Sequence, residues 1–481
     1  MWYLIIIVLL IPVYVALVRT AALKAKSRVT YTPDVRPEEL KRAEEKLGAM
    51  IRIPTVSKAE HEDLSDFYRY HAELERLFPL LHKHLEKTVL NGTLLYRWKG
   101  SDETLLPVLF MGHQDVVPAS NEGWSVPAYS GVVKDGCLFG RGALDCKGTM
   151  YVEMQAVEEL LADGFVPPCD VYLEYSINEE TGGDGAAAAM RYLRDQDIRF
   201  AFVLDEGGAV IEEAIPGMDR PYAVLGFTEK GYMDVRITAR GKGGHSSTPP
   251  RKTPAARLYA FANEIERKRP FKKKISHEVK VMFRQMAPSL PFGMRLLLGN
   301  IWLFEPLLKA VMPMVSPFGE ALMATTCCFT QMKGSDAANV IPKEPYLIAN
   351  LRCSAHQNCQ ESLAVLQKYG KKYGLEFEVL LQRDASAISD IHSEAYRFVD
   401  ETIRAHFPDV GTAPYLIMGG TDCRHFHALT DTALRFCPVR MNDAQNASCH
   451  AVDENVTVAA LAEGVLFYKR LLLTYPGHTK S

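Results

Sequence analysis

Leu105-Leu-Pro-Val-Leu-Phe-Met-Gly112 and Asp170-Val-Tyr-Leu-Glu-Tyr-Ser-Ile177 decide the fold of this 481-residue chain. Both are short, mostly apolar runs, and runs of that length and character read as strands buried on both faces. Between them residues 149–162 follow Gly148 as a long helix; beyond them 185–195 read as a second helix and 200–204 as a third strand. Strand, helix, strand at these intervals predicts an α/β fold with a mostly parallel central sheet flanked by helices. Upstream, 37–50 and 64–85 read as amphipathic helices. Downstream the character changes. Residues 232–239 alternate as an exposed antiparallel strand does, 255–268 are helical, 324–332 and 346–352 are strands, 361–373 a helix and 376–381 a strand. That β-α-β-β-α-β order predicts a separate ferredoxin-like α+β domain inserted into the first. Residues 393–406 (helix), 415–418 (strand) and 456–473 (helix) then return to the large domain.

The expected organisation is an N-terminal segment over 1–28, the large domain over 36–225 and 384–481, and the inserted domain over 226–383. Within the inserted domain lies an excess of about fifty residues that its fold does not require. This stretch, about 275–318, is rich in Leu, Met, Phe and Trp over 292–314. It reads either as extra core or a subunit contact, or as a pocket or membrane-apposed surface for a greasy ligand.

Residues 2–18 form an unbroken apolar run followed by Arg19, Lys24, Lys26 and Arg28. The preferred reading is an uncleaved single-pass membrane anchor, because a signal peptide would carry basic residues ahead of the run. The flanking charges then place the rest of the chain in the cytoplasm, with a secreted or luminal chain as the alternative. Ten cysteines without a C-x-x-C agree with a reducing compartment. N-x-S/T tripeptides at Asn91, Asn446 and Asn455 point the other way. A composition of 47% hydrophobic and 23% charged residues excludes disordered and collagen-like chains. A formal net charge of −3 without a long basic block argues against a nucleic-acid partner.

Five short segments end in acidic or His residues where a strand stops or a loop begins, which is where α/β sheets build their sites. They are Gly112-His113-Gln-Asp115, Gly140-Arg-Gly-Ala-Leu-Asp145-Cys-Lys-Gly148, Asn178-Glu179-Glu180-Thr-Gly-Gly183, Leu204-Asp205-Glu206-Gly-Gly208 and Ser448-Cys-His450-Ala-Val-Asp-Glu454. The second lacks the spacing and the Ser/Thr of a phosphate-binding loop. Adjacent carboxylates repel unless a cation or a proton sits between them. His113, Asp145, Glu180, Asp205 and His450 together offer two imidazoles and three carboxylates, a set suited to two zinc-like ions roughly 3.5–4 Å apart with one carboxylate shared. Cobalt or manganese would also be accepted by such mixed ligands. Three carboxylates and one hydroxide balance two dications, so a buried pair would be neutral. Glu179 is left over beside Glu180, where a general base is wanted. The chain has no G-x-S-x-G and no H-E-x-x-H, which argues against a serine hydrolase and a zincin.

In order along the chain, G-H-Q-D-V-V-P, G-R-G-A-L-D-C-K-G, N-E-E-T-G-G, L-D-E-G-G, G-K-G-G-H-S-S, G-G-T-D-C-R-H and C-H-A-V-D-E resemble metallopeptidase family M20. Within it they are similar to the branch of carboxypeptidase S and peptidase M20 domain-containing protein 1. The resemblance implies two Zn2+ ions, one on His113, Asp145 and Asp205 and the other on Asp145, Glu180 and His450, with Asp145 as the bridge. It implies that Asp115 orients His113 and that Glu179 is the general base and acid. His245 would stabilise the oxyanion from the lid domain, in dimeric members from the partner subunit, so a homodimer through the lid is expected. Asn339 and Arg352 would meet the substrate's carboxylate, and Gly419 and Gly420 would form a substrate-side loop. The implied reaction is hydrolysis of an amide beside a free carboxylate. The branch, the greasy insertion and the anchor favour an N-acyl amino acid, with a fatty-acyl chain in view. A carboxypeptidase acting on short peptides is the alternative, and a non-catalytic membrane-tethered binding protein a third reading.

Overall fold

The computed structural model describes residues 2–23, 29–58 and 63–479, with side chains from Leu10 onward. In it Val108–His113 runs parallel to Val171–Ser176 on one side and to Phe202–Asp205 on the other. Ala433–Arg435 continues the parallel run beside Phe202–Asp205. Every residue of Val108–His113 and of Val171–Ser176 is buried, as strands covered on both faces require. The strand period of two sorts them. Val108 and Phe110 join a core with helices Lys147–Ala162 and Val458–Thr474, whereas Leu109 and Met111 face Ala186, Leu193 and Phe426 on the opposite side.

Among the described residues the large sheet has ten strands. Two of its parts carry no clear mark in the hydrophobic pattern. One is the antiparallel hairpin Glu86–Leu90 and Thr93–Trp98 at the sheet edge. Its turn, Asn91-Gly92, takes positive φ at both residues, the combination for which Asn-Gly is the usual hairpin signal. The other is Tyr222–Glu229, which pairs in parallel with Gly411–Ile417. The expected helix over 64–85 is two, Ser65–Leu77 and Pro79–His84, because Pro79 lacks an N–H and restricts Phe78 before it.

The second sheet has the order Thr326–Lys333, Tyr346–Cys353, Gly231–Ala239, Leu375–Arg383, antiparallel throughout. Helices Pro254–Lys268 and Cys359–Gly370 cover one face, packing Phe261 and Leu366 on Val235 and Leu351. This is the ferredoxin-like arrangement. The apolar insertion folds as His277–Met286, Phe292–Gly299, Ile301–Val315 and Pro317–Ala321. It packs on the large sheet rather than on the small one, burying Val279, Met282 and Leu322 with Tyr222, Val224 and Ala413.

The N-terminal helix Trp2–Ala22 lies on this insertion. The buried Asn300 amide donates to Thr20 Oγ1 at 2.9 Å, and Arg295 Nη1 donates to the Leu23 carbonyl at 3.1 Å. Among the described residues no single helix is long and apolar enough to cross a membrane. Leu10–Ala22 is apolar but shorter, and Phe292–Gly299 with Ile301–Val315 qualify only as a pair bent by 106°. The described residues therefore do not support the expected membrane-spanning helix, and the side chains of residues 2–9 and the basic flank over 24–28 lie outside those described.

Candidate metal centre and substrate cleft

Three of the five acidic or His segments leave the ends of the parallel strands Val108–His113, Val171–Ser176 and Phe202–Asp205, so the topology delivers them to one edge of the large sheet. Asp145 lies just before helix Lys147–Ala162, and the His450 segment joins helix Asp443–Ser448 to strand Asn455–Thr457. His113 closes its strand. Its Nε2 lies 2.8 Å from Asp145 Oδ1, and its Nδ1 hydrogen bonds the Asp115 carbonyl at 2.9 Å. The other Asp145 oxygen lies 3.0 Å from His450 Nε2, which is also 3.2 Å from Glu180 Oε2. Asp145 thus stands between the two imidazoles, where the bridging role requires it.

Asp115 is fully buried and organises its surroundings. Its carboxylate accepts the Ser57 hydroxyl at 2.7 Å and the backbone N–H groups of Glu179 and Glu180 at 3.2 and 3.1 Å, and sits 3.3 Å from His113 Nδ1. One side chain therefore fixes both the ring and the acidic pair. Glu454 performs the same service for Asp145. Paired with Arg141 at 2.6 Å, it accepts the backbone N–H groups of Gly142, Leu144 and Asp145, which shapes the loop that presents Asp145. Ser57 carried no sequence signal, and Glu454 was visible only as the last letter of the His450 motif.

The potential at this spot favours positive charge. Hydrogen bonds to Asp145 and Glu180 push the His450 imidazole up to about 10. Burial alone would raise the Asp145 carboxyl, yet the two imidazoles hold it well below the ordinary carboxylate range. Burial drives the Glu179 carboxyl well above that range, and the carboxylates of Asp422, Glu206 and Asp145 add to the shift. Glu180 Oε1 is buried and has no hydrogen-bond partner among the described residues. A buried oxygen without a donor, beside two imidazoles and several mutually repelling carboxylates, fits a divalent metal pair by both donor type and charge.

The Asp205 carboxylate is held by the backbone. Both its oxygens already accept backbone N–H groups, from Glu206 at 2.8 Å and Cys423 at 2.8 Å. Its neighbour Glu206 lines the cavities that open onto Asp145. Burial first, then Asp145 and Asp205, raise the Glu206 carboxyl well above its usual range. The signal for Glu206 was the paired carboxylate itself, the same device as Glu179-Glu180.

The cleft over this cluster, about 470 Å3, is lined by Glu179, Glu180 and His450, by Gly419 and Gly420, and by the small-domain side chains Arg352 and Arg383. Arg352 stacks over Tyr232, 4.6 Å from the ring centroid, and Arg383 donates to the Gly182 carbonyl, joining the small domain to the acidic loop. His245 and Asn339 are not brought to the cluster. They share an exposed two-stranded ribbon, Gly244–His245 against Val340–Ile341, in which Ser246 N–H donates to the Asn339 carbonyl at 3.0 Å. His245 Nδ1 instead hydrogen bonds Ser247 Oγ at 2.8 Å.

The Gly419 loop is anchored from beneath. Glu229 accepts the Thr421 N–H at 2.6 Å and pairs with Arg435 at 2.6 Å, and both ionic side chains are completely buried. Glu229→Gln would leave the Arg435 charge without its counterion. The expected cost is about 3 kcal/mol of unfolding free energy in urea titration, and a variant as stable as the parent would show that the pair is dispensable.

The profile of peptidase family M20/M25/M40 matches residues 109–474. The chain is 33% identical over 471 residues to the N-fatty-acyl-amino acid synthase/hydrolase PM20D1 of Xenopus tropicalis, covering 97% of this chain and 91% of that protein. It is 31% identical over 438 residues to the probable carboxypeptidase S-like 2 of Dictyostelium discoideum, covering 89% and 84%. In fold it is similar to an M20 family metallo-carboxypeptidase, Sso-CP2 from Sulfolobus solfataricus, with a TM-score of 0.67 at 18% identity over 92% of this chain and 100% of that one.

Proposed function

The chain belongs to peptidase family M20/M25/M40, in the branch of carboxypeptidase S and PM20D1, and from that premise we propose that it is a metal-dependent hydrolase of N-acyl amino acids. The observation that carries the reading is the cleft itself. An acidic, imidazole-bearing cluster and the guanidinium groups of Arg352 and Arg383 line the same cleft, so an amide and a neighbouring free carboxylate can be held together. His113, Asp145, Glu180 and His450 would hold two divalent cations, zinc by preference, and Asp205 or its neighbour Glu206, which lines the cleft, would add the third carboxylate.

When bound, the ions supply Lewis acidity toward the amide carbonyl and the attacking water. The protein's own groups do the rest. Glu179 takes the proton that the attacking water loses and returns it to the amine nitrogen as the C–N bond breaks. Asp115 keeps the His113 ring and the Glu179-Glu180 backbone in register for this exchange. Arg352 receives the substrate's carboxylate; it forms no ion pair among the described residues and is free to do so.

The likeness to PM20D1 and the apolar insertion support an acyl group over a peptidyl one, whereas the likeness to a carboxypeptidase S relative supports the peptide reading. The test is release of amino acid from two substrates with the same C-terminal residue, a long-chain N-acyl amino acid and a dipeptide. Chelator-sensitive preference for the acyl substrate is expected. Preference for the dipeptide would make the chain a carboxypeptidase.

A further inference from the structure

A second cavity, of about 350 Å3, shares Asp145, Glu206, Gly207 and Cys449 with the cleft and extends away from them along the strand pair that carries Val224 and Tyr415. Its walls are largely apolar, with Ala214, Val224, Val439 and Met441 along them. Phe318 belongs to the last helix of the insertion and stacks on Tyr415, ring centroids 6.2 Å apart and planes 13° apart. The two charged carboxylates that line it beyond the acidic cluster, Glu213 and Asp443, are exposed to solvent.

We infer that this cavity is the acyl-chain site, taking the alkyl tail of a substrate whose amide lies over Asp145 and whose carboxylate lies toward Arg352. The inference rests on the reading proposed above and deepens it by giving the tail a place. An N-acyl amino acid needs three environments in sequence: cationic for the carboxylate, acidic and metal-binding for the amide, apolar for the chain. The structure offers them in that order, and the two cavities meet where the amide must lie. The volume suits a chain on the order of ten methylenes, if each takes roughly the 30 Å3 of a liquid water. The insertion, which a ferredoxin-like domain does not need, thereby supplies a wall of the substrate site through Phe318 and is more than added core.

The experiment compares kcat/KM for acetyl, hexanoyl, decanoyl and hexadecanoyl derivatives of one amino acid, in the metal-loaded full chain and in Ala214→Phe. For the parent, kcat/KM is expected to rise up to about fourfold per added methylene until the cavity is filled near ten carbons, the fold-change equivalent to about 0.8 kcal/mol per buried CH2. Ala214→Phe fills the cavity from its wall and should lower the decanoyl-to-acetyl ratio at least tenfold. A parent that prefers long chains with an unchanged ratio in the variant would overturn the assignment of this cavity and leave the proposed activity standing. A parent that does not prefer long chains would overturn both. Should Ala214→Phe fail to fold, Phe318→Ala opens the outer end from an exposed position. A severalfold fall in the same ratio supports the assignment, and an unchanged ratio overturns it.

Discussion

Replacing Glu179 by Gln is expected to lower kcat by at least about a thousandfold while both metal ions stay bound, the size of effect that losing a positioned acid and base produces. Among the described residues the Glu179 side chain has no hydrogen-bond partner that an amide would disrupt; it is its backbone N–H that Asp115 holds. The carboxyl lines the cleft beside Glu180 and Asp145, where a water aimed at the amide carbon would pass. Metal content by atomic absorption separates this role from a structural one. Two ions with turnover near that of the parent would remove Glu179 from the chemistry, and loss of the ions would recast it as a ligand.

Asp145→Ala should have the larger effect on metal. Its two oxygens face different imidazoles, His113 at 2.8 Å and His450 at 3.0 Å, so one truncation takes a donor from each ion. The expected result is loss of both ions in dialysed protein and of activity with them; full occupancy in the variant would contradict the bridge. Glu206→Gln and Asp205→Asn refine the same picture. Asp205 is tied to two backbone amides and Glu206 faces the cavities, so Glu206→Gln should cost one of two ions and Asp205→Asn should act more on the position of its loop. The reverse pattern would return the ligand role to Asp205.

Fold and site were legible in the sequence to different depths, for physical reasons. The strands around His113 and Ser176 are buried on both faces, so nearly every residue is apolar and the run is unmistakable. The hairpin strand Glu86–Leu90 lies at a sheet edge with half-exposed residues, and Asn91-Gly92 is the one local signal that could have revealed it. The ligand-type residues were readable because strand ends and paired carboxylates are local features. What holds them is not local. Ser57 reaches Asp115 across 58 residues, Glu229 reaches Arg435 across 206, and Arg141 reaches Glu454 across 313, so no local window of sequence contains any of these pairs. Which of the adjacent carboxylates Asp205 and Glu206 the backbone amides of Cys423 and Glu206 capture is likewise determined only by the folded loop. The insertion's composition announced an apolar surface, but its packing on Tyr222 and Val224 instead of the small domain is a tertiary fact.

The most direct test of the central claim is a crystal structure of zinc-loaded protein with anomalous scattering recorded at the zinc edge. Two peaks roughly 3.5–4 Å apart on either side of Asp145 are expected, one beside His113 and the other between Glu180 and His450. A single peak, or peaks that do not share Asp145, would contradict the account.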